Sequence, residues 1–501
     1  MKFTSTSLST MILISGSAIL QVTATRGATQ ISSGRAHTCA IDDKRNLQCW
    51  GSNAYGQLGD GSTISRNKPT IISLGEGGRY ATQIAAGDTH SCAIDDKNNL
   101  KCWGTNFYGT LNSPSDDYYH RRSPSLIYLN DNGAYATQIA VGREHSCVID
   151  NSNFIRCWGS NKYGQLGDGK RNDLSFSPWD TIDGIDAATQ ISLGRDHSCA
   201  IDILNNLKCW GGNFFGQLGD GTRTHRSTPT SISLGDYTTY ATRIALGGDH
   251  SCAIDNHNNL KCWGNGYYGY YSPSGIYFDY IFTPTTIPLY QNKNENAAQI
   301  ALGREHSCAI TLDSSDTNCW GSNLYGQLGD GGFSDKINFP KSKIVLGDIS
   351  LYVTQISLGG QHSCAIDNKN QLRCWGENGA GQLGDGSYQN KNSPTIVILN
   401  KGGLPIYAKV LIGVLVPVAA ILASIACVFI LYRKKKQQGQ QLPTQEEVVE
   451  DGKPTFPVVD DSESLETVDV AQPQMETEEQ EISVVPVVPV PVTKDDDSMH
   501  A

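Results

Sequence analysis

Between Ala28 and Lys409 the chain has no Asn-x-Ser/Thr acceptor, which removes N-glycosylation as a solubilising device for that stretch. It has no phosphate loop either: its recurring GQLGDG phrase lacks the Lys-Ser/Thr that follows the glycines of such loops. No Ser, His and Asp grouping stands apart from the repeated segments, so no catalytic set, enzyme activity or cofactor is implied. The Asp-rich turns, such as Asp95 to Asn99, lack the glycine and distal Glu of a calcium loop and read as solvated hairpin tips. Positive charge is scarce as well. Six basic and sixteen acidic residues lie from Arg433 onward, so that stretch carries −10 of the formal −11 and the remainder is nearly neutral. Nothing in that balance favours a nucleic-acid partner. Beyond Arg433 there is no tyrosine, which excludes phosphotyrosine signalling through that segment.

One phrase dominates what is present. HTCAIDDKRNLQCWG, from His37, recurs from His90, His145, His197, His250, His306 and His362, with 53, 55, 52, 53, 56 and 56 residues between successive first cysteines. A fixed period of this size marks a propeller or solenoid built from one supersecondary unit per repeat. Each phrase reads as a β-hairpin, Cys39-Ala40-Ile41 against Leu47 to Trp50, turned by Asp, Lys and Asn. Folding it about Lys44 brings Cys39 opposite Cys49, within reach of a disulfide. The same geometry pairs Cys92 with Cys102, Cys147 with Cys157, Cys199 with Cys209, Cys252 with Cys262, Cys308 with Cys319 and Cys364 with Cys374. The sixth pair is one residue wider, so a bulge or a longer turn is expected there. Buried free thiols and zinc are the rival readings. Zinc fits poorly, because its ligand pairs are usually closer and come in fours. Disulfides persist in an oxidising compartment, which places the array outside the cytosol.

A typical unit has four apolar runs; in the second these are Thr82 to Ala86, Cys92 to Ile94, Leu100 to Trp103 and Leu126 to Leu129. Four short strands per unit over seven units predict radial four-stranded blades. Between the third and fourth runs sits GSNAYGQLGDG from Gly51, repeated from Gly159, Gly211, Gly321 and Gly376 with small changes; its glycines suit positive-φ turns. The Gly-x-x-His-Ser/Thr entry, as in Gly142 to Ser146, and Trp158 to Gly167 (WGSNKYGQLG) resemble the regulator of chromosome condensation repeat family. The resemblance covers about three-quarters of the chain and implies an all-β, seven-bladed β-propeller. It also suggests, by analogy alone, nucleotide exchange on a small GTPase or another regulatory partner role. A disulfide-bonded propeller outside the cytosol would not meet such a GTPase, and fold does not carry function.

The expected organisation is a signal peptide at 1–24, a propeller at 28–400, a linker at 401–409, a transmembrane helix at 410–432 and a disordered acidic cytoplasmic tail at 433–501. Lys2, the apolar run Met11 to Leu20 and Val22-Thr-Ala24 suit a secretory signal. Val410 to Tyr432 is uncharged over 23 residues and is followed by Arg433-Lys-Lys-Lys436, which marks a cytoplasmic end. The expected protein is thus single-pass type I, with one helix in the lipid bilayer. Val484 to Val492 alternates Val and Pro and suits a stiff spacer or a polyproline II contact for a cytoplasmic adaptor.

The seven histidines His37, His90, His145, His197, His250, His306 and His362 tempt a metal or pH-sensing reading. Identical placement in every unit argues instead for a part in the fold, for instance by bonding a neighbouring blade's backbone. Function is expected where repeats depart from consensus. Two units lose the GQLGDG phrase and carry tyrosine-rich inserts, with Tyr118 and Tyr119 in the second and Tyr268 and Tyr270 in the fifth. These tyrosines are the candidate contacts for an extracellular or lumenal protein or glycan ligand, making the chain receptor- or adhesion-like. The alternatives are aromatics packed between blades, or an enzyme-inhibitor-like propeller.

Overall fold

The computed structural model describes residues 26–75, 78–111, 120–129, 133–172, 180–185, 187–265, 280–289, 296–312, 315–334, 342–400 and 433. The expected signal peptide, linker, transmembrane helix and tail beyond Arg433 lie outside them. The chain divides into two compact units, Met1–Pro405 and Ile406–Ala501. Among the described residues no helix is long and apolar enough to cross a membrane.

The first unit is a seven-bladed β-propeller with 27 strands among the described residues. In the first blade, β1 (Ala28–Ser33), β2 (His37–Asp42), β3 (Leu47–Gly51) and β4 (Arg66–Ile71) form one antiparallel sheet in that order. Five further sheets are four-stranded; the third shows three strands among the described residues. In every sheet neighbouring strands are also neighbours in sequence, so the first and last blades share no strand.

The hairpin register is the expected one. Cys39 faces Cys49, and the Cα atoms of the seven bonded pairs lie 4.0–4.2 Å apart, the close spacing of non-hydrogen-bonded partners. In the sixth hairpin Cys308 faces Cys319 and Ile310 faces Thr317 without a slip, so the extra residue lengthens the turn and makes no bulge. Alternation puts Cys39 and Ile41 in one apolar cluster with Ala93 and Trp103 of the second blade. Ala40 and Trp50 face the other way, into a cluster with Cys364 and Leu372 of the seventh. Seven such clusters fill the seven junctions.

Two expectations change. The outer strand of the second blade is His120–Ile127, not Leu126 to Leu129. Outer strands are largely solvent-facing and polar, so they leave no apolar run to read. They carry prolines, Pro69, Pro124, Pro229, Pro284 and Pro394, which an edge tolerates and which blunts it against further pairing. The first aspartate of the hairpin tip, present in six blades and replaced by Thr311 in the sixth, is also not solvated. Asp95 is buried, accepts the Lys97 and Asn99 backbone N–H groups at 2.9 Å each and pairs with Lys101 at 3.0 Å. Burial pushes its carboxyl up, but the Asn99, Lys101 and Lys97 hydrogen bonds outweigh that and hold it below the ordinary aspartate value. Asn98 closes the turn at φ 62°, a left-handed conformation that Asn tolerates.

The histidines clasp each blade to the next, through a hydroxyl and not through backbone. His37 Nε2 lies 2.8 Å from Ser91 Oγ of the second blade. Ser91 Oγ in turn donates to the Gln57 carbonyl of the first, at 2.9 Å. Trp103 Nε1 donates to that same carbonyl at 2.8 Å. Because the hydroxyl donates onward, the imidazole donates through Nε2 and is the neutral tautomer. The ring closes identically: His362 Nε2 meets Thr38 Oγ1 at 2.8 Å, and Thr38 and Trp50 both donate to the Gln382 carbonyl at 2.9 Å. A β-carbon on Gly34 would lie 2.4 Å from the His37 ring, which explains the glycine of the Gly-x-x-His entry. Likewise Gly59, at φ 78°, lies under the Trp103 indole, where a β-carbon would come within 2.7 Å.

Burial pushes the pKa of these rings down to about 4 for His37 and His250 and about 3 for the other five. A proton therefore binds the unfolded chain more tightly than the folded one. The resulting stability is complete above the ordinary histidine value of 6.5 and is lost as the pH falls below it, by up to about 1.4 kcal/mol per pH unit for each ring. Calorimetry at pH 7.5, 6.5 and 5.5 should show a small fall in melting temperature over the first step, where the unfolded rings become half protonated, and a larger fall over the second. Ser251→Ala, which strands the His197 N–H, should cost about 1–3 kcal/mol in urea unfolding at pH 7.5; unchanged stability would refute the clasp.

Candidate ligand-binding site at the channel mouth

The clasp fixes where the β1–β2 loops go. Each loop turns into the central axis immediately before its histidine, so the residue after the glycine projects at the channel mouth. Backbone hydrogen bonds tie successive loops together: Arg35 N to Gly87 O at 3.1 Å, Arg195 N to Gly247 O, Gly248 N to Gly303 O, Arg304 N to Gly359 O and Gly360 N to Gly34 O at 3.2 Å each. These bonds link five of the seven neighbouring loop pairs around the axis. Within the ring of loops lies a cavity of about 250 Å³.

Going round the ring, the position after the glycine is Arg35, Asp88, Arg143, Arg195, Gly248, Arg304 and Gly360. Four guanidinium groups and one carboxylate thus line one small opening. Asp88 lies among them: burial pushes its carboxyl up, and Arg35, Arg143, Arg304 and Arg195 pull it back part of the way. The next residue outward supplies carboxylates. Glu144 contacts Arg143 Nε at 3.4 Å, Asp196 contacts Arg195 Nε at 3.4 Å and Glu305 contacts Arg304 Nε at 3.6 Å, while Asp249 reaches Arg195 Nη1 at 3.9 Å. Burial raises the pKa of Glu144, Asp196 and Asp249. Chemically this is a collar of four arginines, three of them paired with a following carboxylate, that suits polar recognition. Among the described residues no group of three or more His, Cys, Asp or Glu side chains is placed to hold a metal.

The Gly-rich corners open at this same end of the blades, since Ser52 N bonds Ala36 O beside Arg35. There aromatic side chains of neighbouring blades stack in half-exposed groups. Tyr55 meets His120 at 5.3 Å, and Phe107 meets His120 at 5.4 Å. Tyr163 meets Phe214 at 5.3 Å, and Phe214 meets His225 at 4.3 Å. Tyr118, Tyr119, Tyr268 and Tyr270 lie outside the described residues. Their flanks are described: Thr105 pairs with His120 and Asn265 with Tyr280, so the chain enters and leaves both inserts at the collar end. The collar itself is absent from the sequence-based candidates. Its signal is present, because the residue after the glycine changes sign or vanishes between units that are otherwise nearly identical.

The RCC1-like domain model matches residues 116–414. This chain belongs to the RCC1-like family. The regulator of chromosome condensation (RCC1) repeat also matches at 47–94, and a second model of that repeat matches at 28–57 and 81–110. The chain is 28% identical over 376 residues to the ultraviolet-B receptor UVR8 of Arabidopsis thaliana, covering 73% of this chain and 81% of the receptor. It is 27% identical over 239 residues to the human E3 ubiquitin-protein ligase HERC2, covering 47% of this chain and only 5% of the ligase. Among solved structures, human WBSCR16 superposes with a TM-score of 0.63 at 22% identity, covering 72% of this chain and 96% of that one. Prp20p of Saccharomyces cerevisiae, whose structure was reported with its binding to Gsp1p and histones, gives 0.60 at 20% identity, covering 75% and 88%. At such identities the likeness speaks to the fold alone.

If the arginines hold Asp88 ionised, removing one should push its carboxyl further up. Carboxyl-detected NMR should place the Asp88 titration above the ordinary 3.8 and higher again in Arg143→Gln. An unshifted midpoint in both proteins would show that Asp88 does not feel the collar.

Proposed function

We propose that this protein is a single-pass type I membrane protein whose propeller, outside the cytosol, is a recognition module for a protein or glycan ligand. The observation that carries this reading is the collar: a preformed cavity lined by the residues that differ between otherwise repeated blades. A propeller that served only as a spacer would need no such variation. The seven buried disulfides support an oxidising compartment. The uncharged stretch 410–432 supports the anchor.

The described propeller ends at Asn400, whose N–H and C=O bond the Gln48 side chain at 2.7 and 3.0 Å. Gln48 also reaches Asp42 at the hairpin tip, the end of the blade opposite Arg35. Asn400 therefore lies at the end of the blade away from the collar. The tyrosine-rich inserts, which begin and end at the collar end, would widen the contact surface around the collar. The Val-Pro run of the tail would offer a site to a cytoplasmic adaptor. No catalytic step is assigned to the propeller. Nucleotide exchange, the activity suggested by family analogy, has no support from a feature of this site.

The test uses full-length protein purified from its native membrane. Alkylation before and after reduction should find all fourteen propeller cysteines protected, and the intact protein should capture a surface or lumenal partner while leaving GTPase nucleotide exchange unaccelerated. Free thiols at Cys39 and Cys49, or stimulated exchange, would overturn the reading.

A further inference from the structure

We infer that the collar takes a single acidic side chain from a protein ligand, and that it prefers one flanked by Lys or Arg. This rests on reading the propeller as a recognition module and specifies the chemistry of its site.

The argument begins with how the arginines are held. Glu144, Asp196 and Glu305 each approach the Nε edge of the arginine preceding them. These are loose ion pairs rather than hydrogen bonds, and in Arg143 and Arg304 the closest approach is made by Nε and not by the terminal nitrogens. Those nitrogens are the fork that grips a carboxylate with two parallel hydrogen bonds. Arg304 is the most open of the three, with 41% of its side chain exposed. The collar positions on either side of it are Gly248 and Gly360, which place no side chain there. A β-carbon on Gly248 would meet the Arg304 carbonyl oxygen at 2.7 Å, so the gap beside Arg304 is enforced by packing. On the far side of the ring, Asp88 already occupies the position between Arg35 and Arg143 and acts as an internal counter-ion. The acceptor for an incoming carboxylate is thus the Arg195–Gly248–Arg304–Gly360 arc.

The surroundings select which acid enters. Four arginines face five carboxylates, Asp88, Glu144, Asp196, Asp249 and Glu305, so the mouth as a whole is slightly negative when all are ionised. A polyanion such as a sulfated glycan would bring many charges against that outer arc and be repelled. A peptide can bring one carboxylate to the arginines and place basic neighbours over the outer acids. The cavity of about 250 Å³ is also below the size of usual small-molecule pockets and suits a side chain with its backbone.

A random seven-residue peptide library selected on immobilised full-length protein, with heparin as the polyanion probe, tests this. The expected selection is one Asp or Glu with Lys or Arg within a few positions. Binding of the selected peptide should fall about tenfold or more in Arg304→Gln and Arg195→Gln, tighten in Asp88→Asn, and fall less in Glu305→Gln, with melting temperatures near that of the parent. Selected peptides lacking an acid, or binding indifferent to both arginine variants, would overturn the collar assignment. Heparin binding that is stronger than the peptide and lost in Arg304→Gln would overturn the peptide class. In either case the recognition reading survives if partner capture persists, since neither peptide nor heparin outcome bears on it.

Discussion

The junctions of this propeller depend on a shared acceptor, which the described residues show at five of the seven. A backbone carbonyl in the Gly-rich corner of one blade receives both the indole N–H and the hydroxyl of the next, as Gln165 O does from Trp210 and Ser198. The histidine then donates to that hydroxyl from the first blade, as His145 does to Ser198 at 3.0 Å. The indole N–H, the hydroxyl and the histidine Nε2 are paired across a boundary that is otherwise apolar, while each histidine Nδ1 is buried without a hydrogen-bond partner; stranding one of the paired groups would be costly. The junction between the last blade and the first uses the same parts, with Thr38 in place of serine. Among the described residues the wheel therefore closes without strand exchange, on these side chains and on backbone bonds such as Ala28 N to Asn370 O at 2.8 Å. The Gln48–Asn400 pair adds a final tie at the seam.

That economy explains the division of the sequence into uniform and variable positions. Histidine, serine, tryptophan and the packed glycines recur because each sits in a junction with no spare volume. The disulfides, buried inside the same hairpins, stiffen each blade, by roughly 2–3 kcal/mol per closed loop in the chain-entropy model. Side chains that point to the axis or out of the corner escape those limits. Hence Arg, Asp and Gly alternate at the collar while the glycine before them does not change. A rigid frame with a variable mouth is the general arrangement by which repeat folds carry recognition.

Much of this was legible beforehand, for physical reasons that can be named. The blade number, the hairpin register and the seven cystine pairs follow from a period and a spacing, because opposed positions in a hairpin leave little choice. The extra residue between Cys308 and Cys319 was legible too, but spacing left a bulge and a longer turn equally open, and only the register decides for the turn. The histidine's partner was not, since a hydroxyl 54 residues away in the next blade leaves no local trace. The outer strands were misplaced because largely exposed, proline-bearing edges such as Arg226–Ile232 carry no apolar signature. The buried aspartates were read as tips because burial of a charged residue depends on hydrogen bonds that only the folded turn provides. The collar was overlooked because attention to a repeat favours what recurs over the single position that varies.

The central claim is that the seam between the last and first blades is clasped as firmly as the other six junctions. Native-state hydrogen exchange of the tryptophan indole N–H groups tests it directly, because five junctions, the seam among them, bury an indole donor on the shared carbonyl. The account gives Trp50 at the seam the same protection as Trp103, Trp210, Trp263 and Trp375, with all of them exchanging together through global opening. Early exchange of Trp50 alone, while the others stay protected, would show a seam that opens by itself and would contradict it.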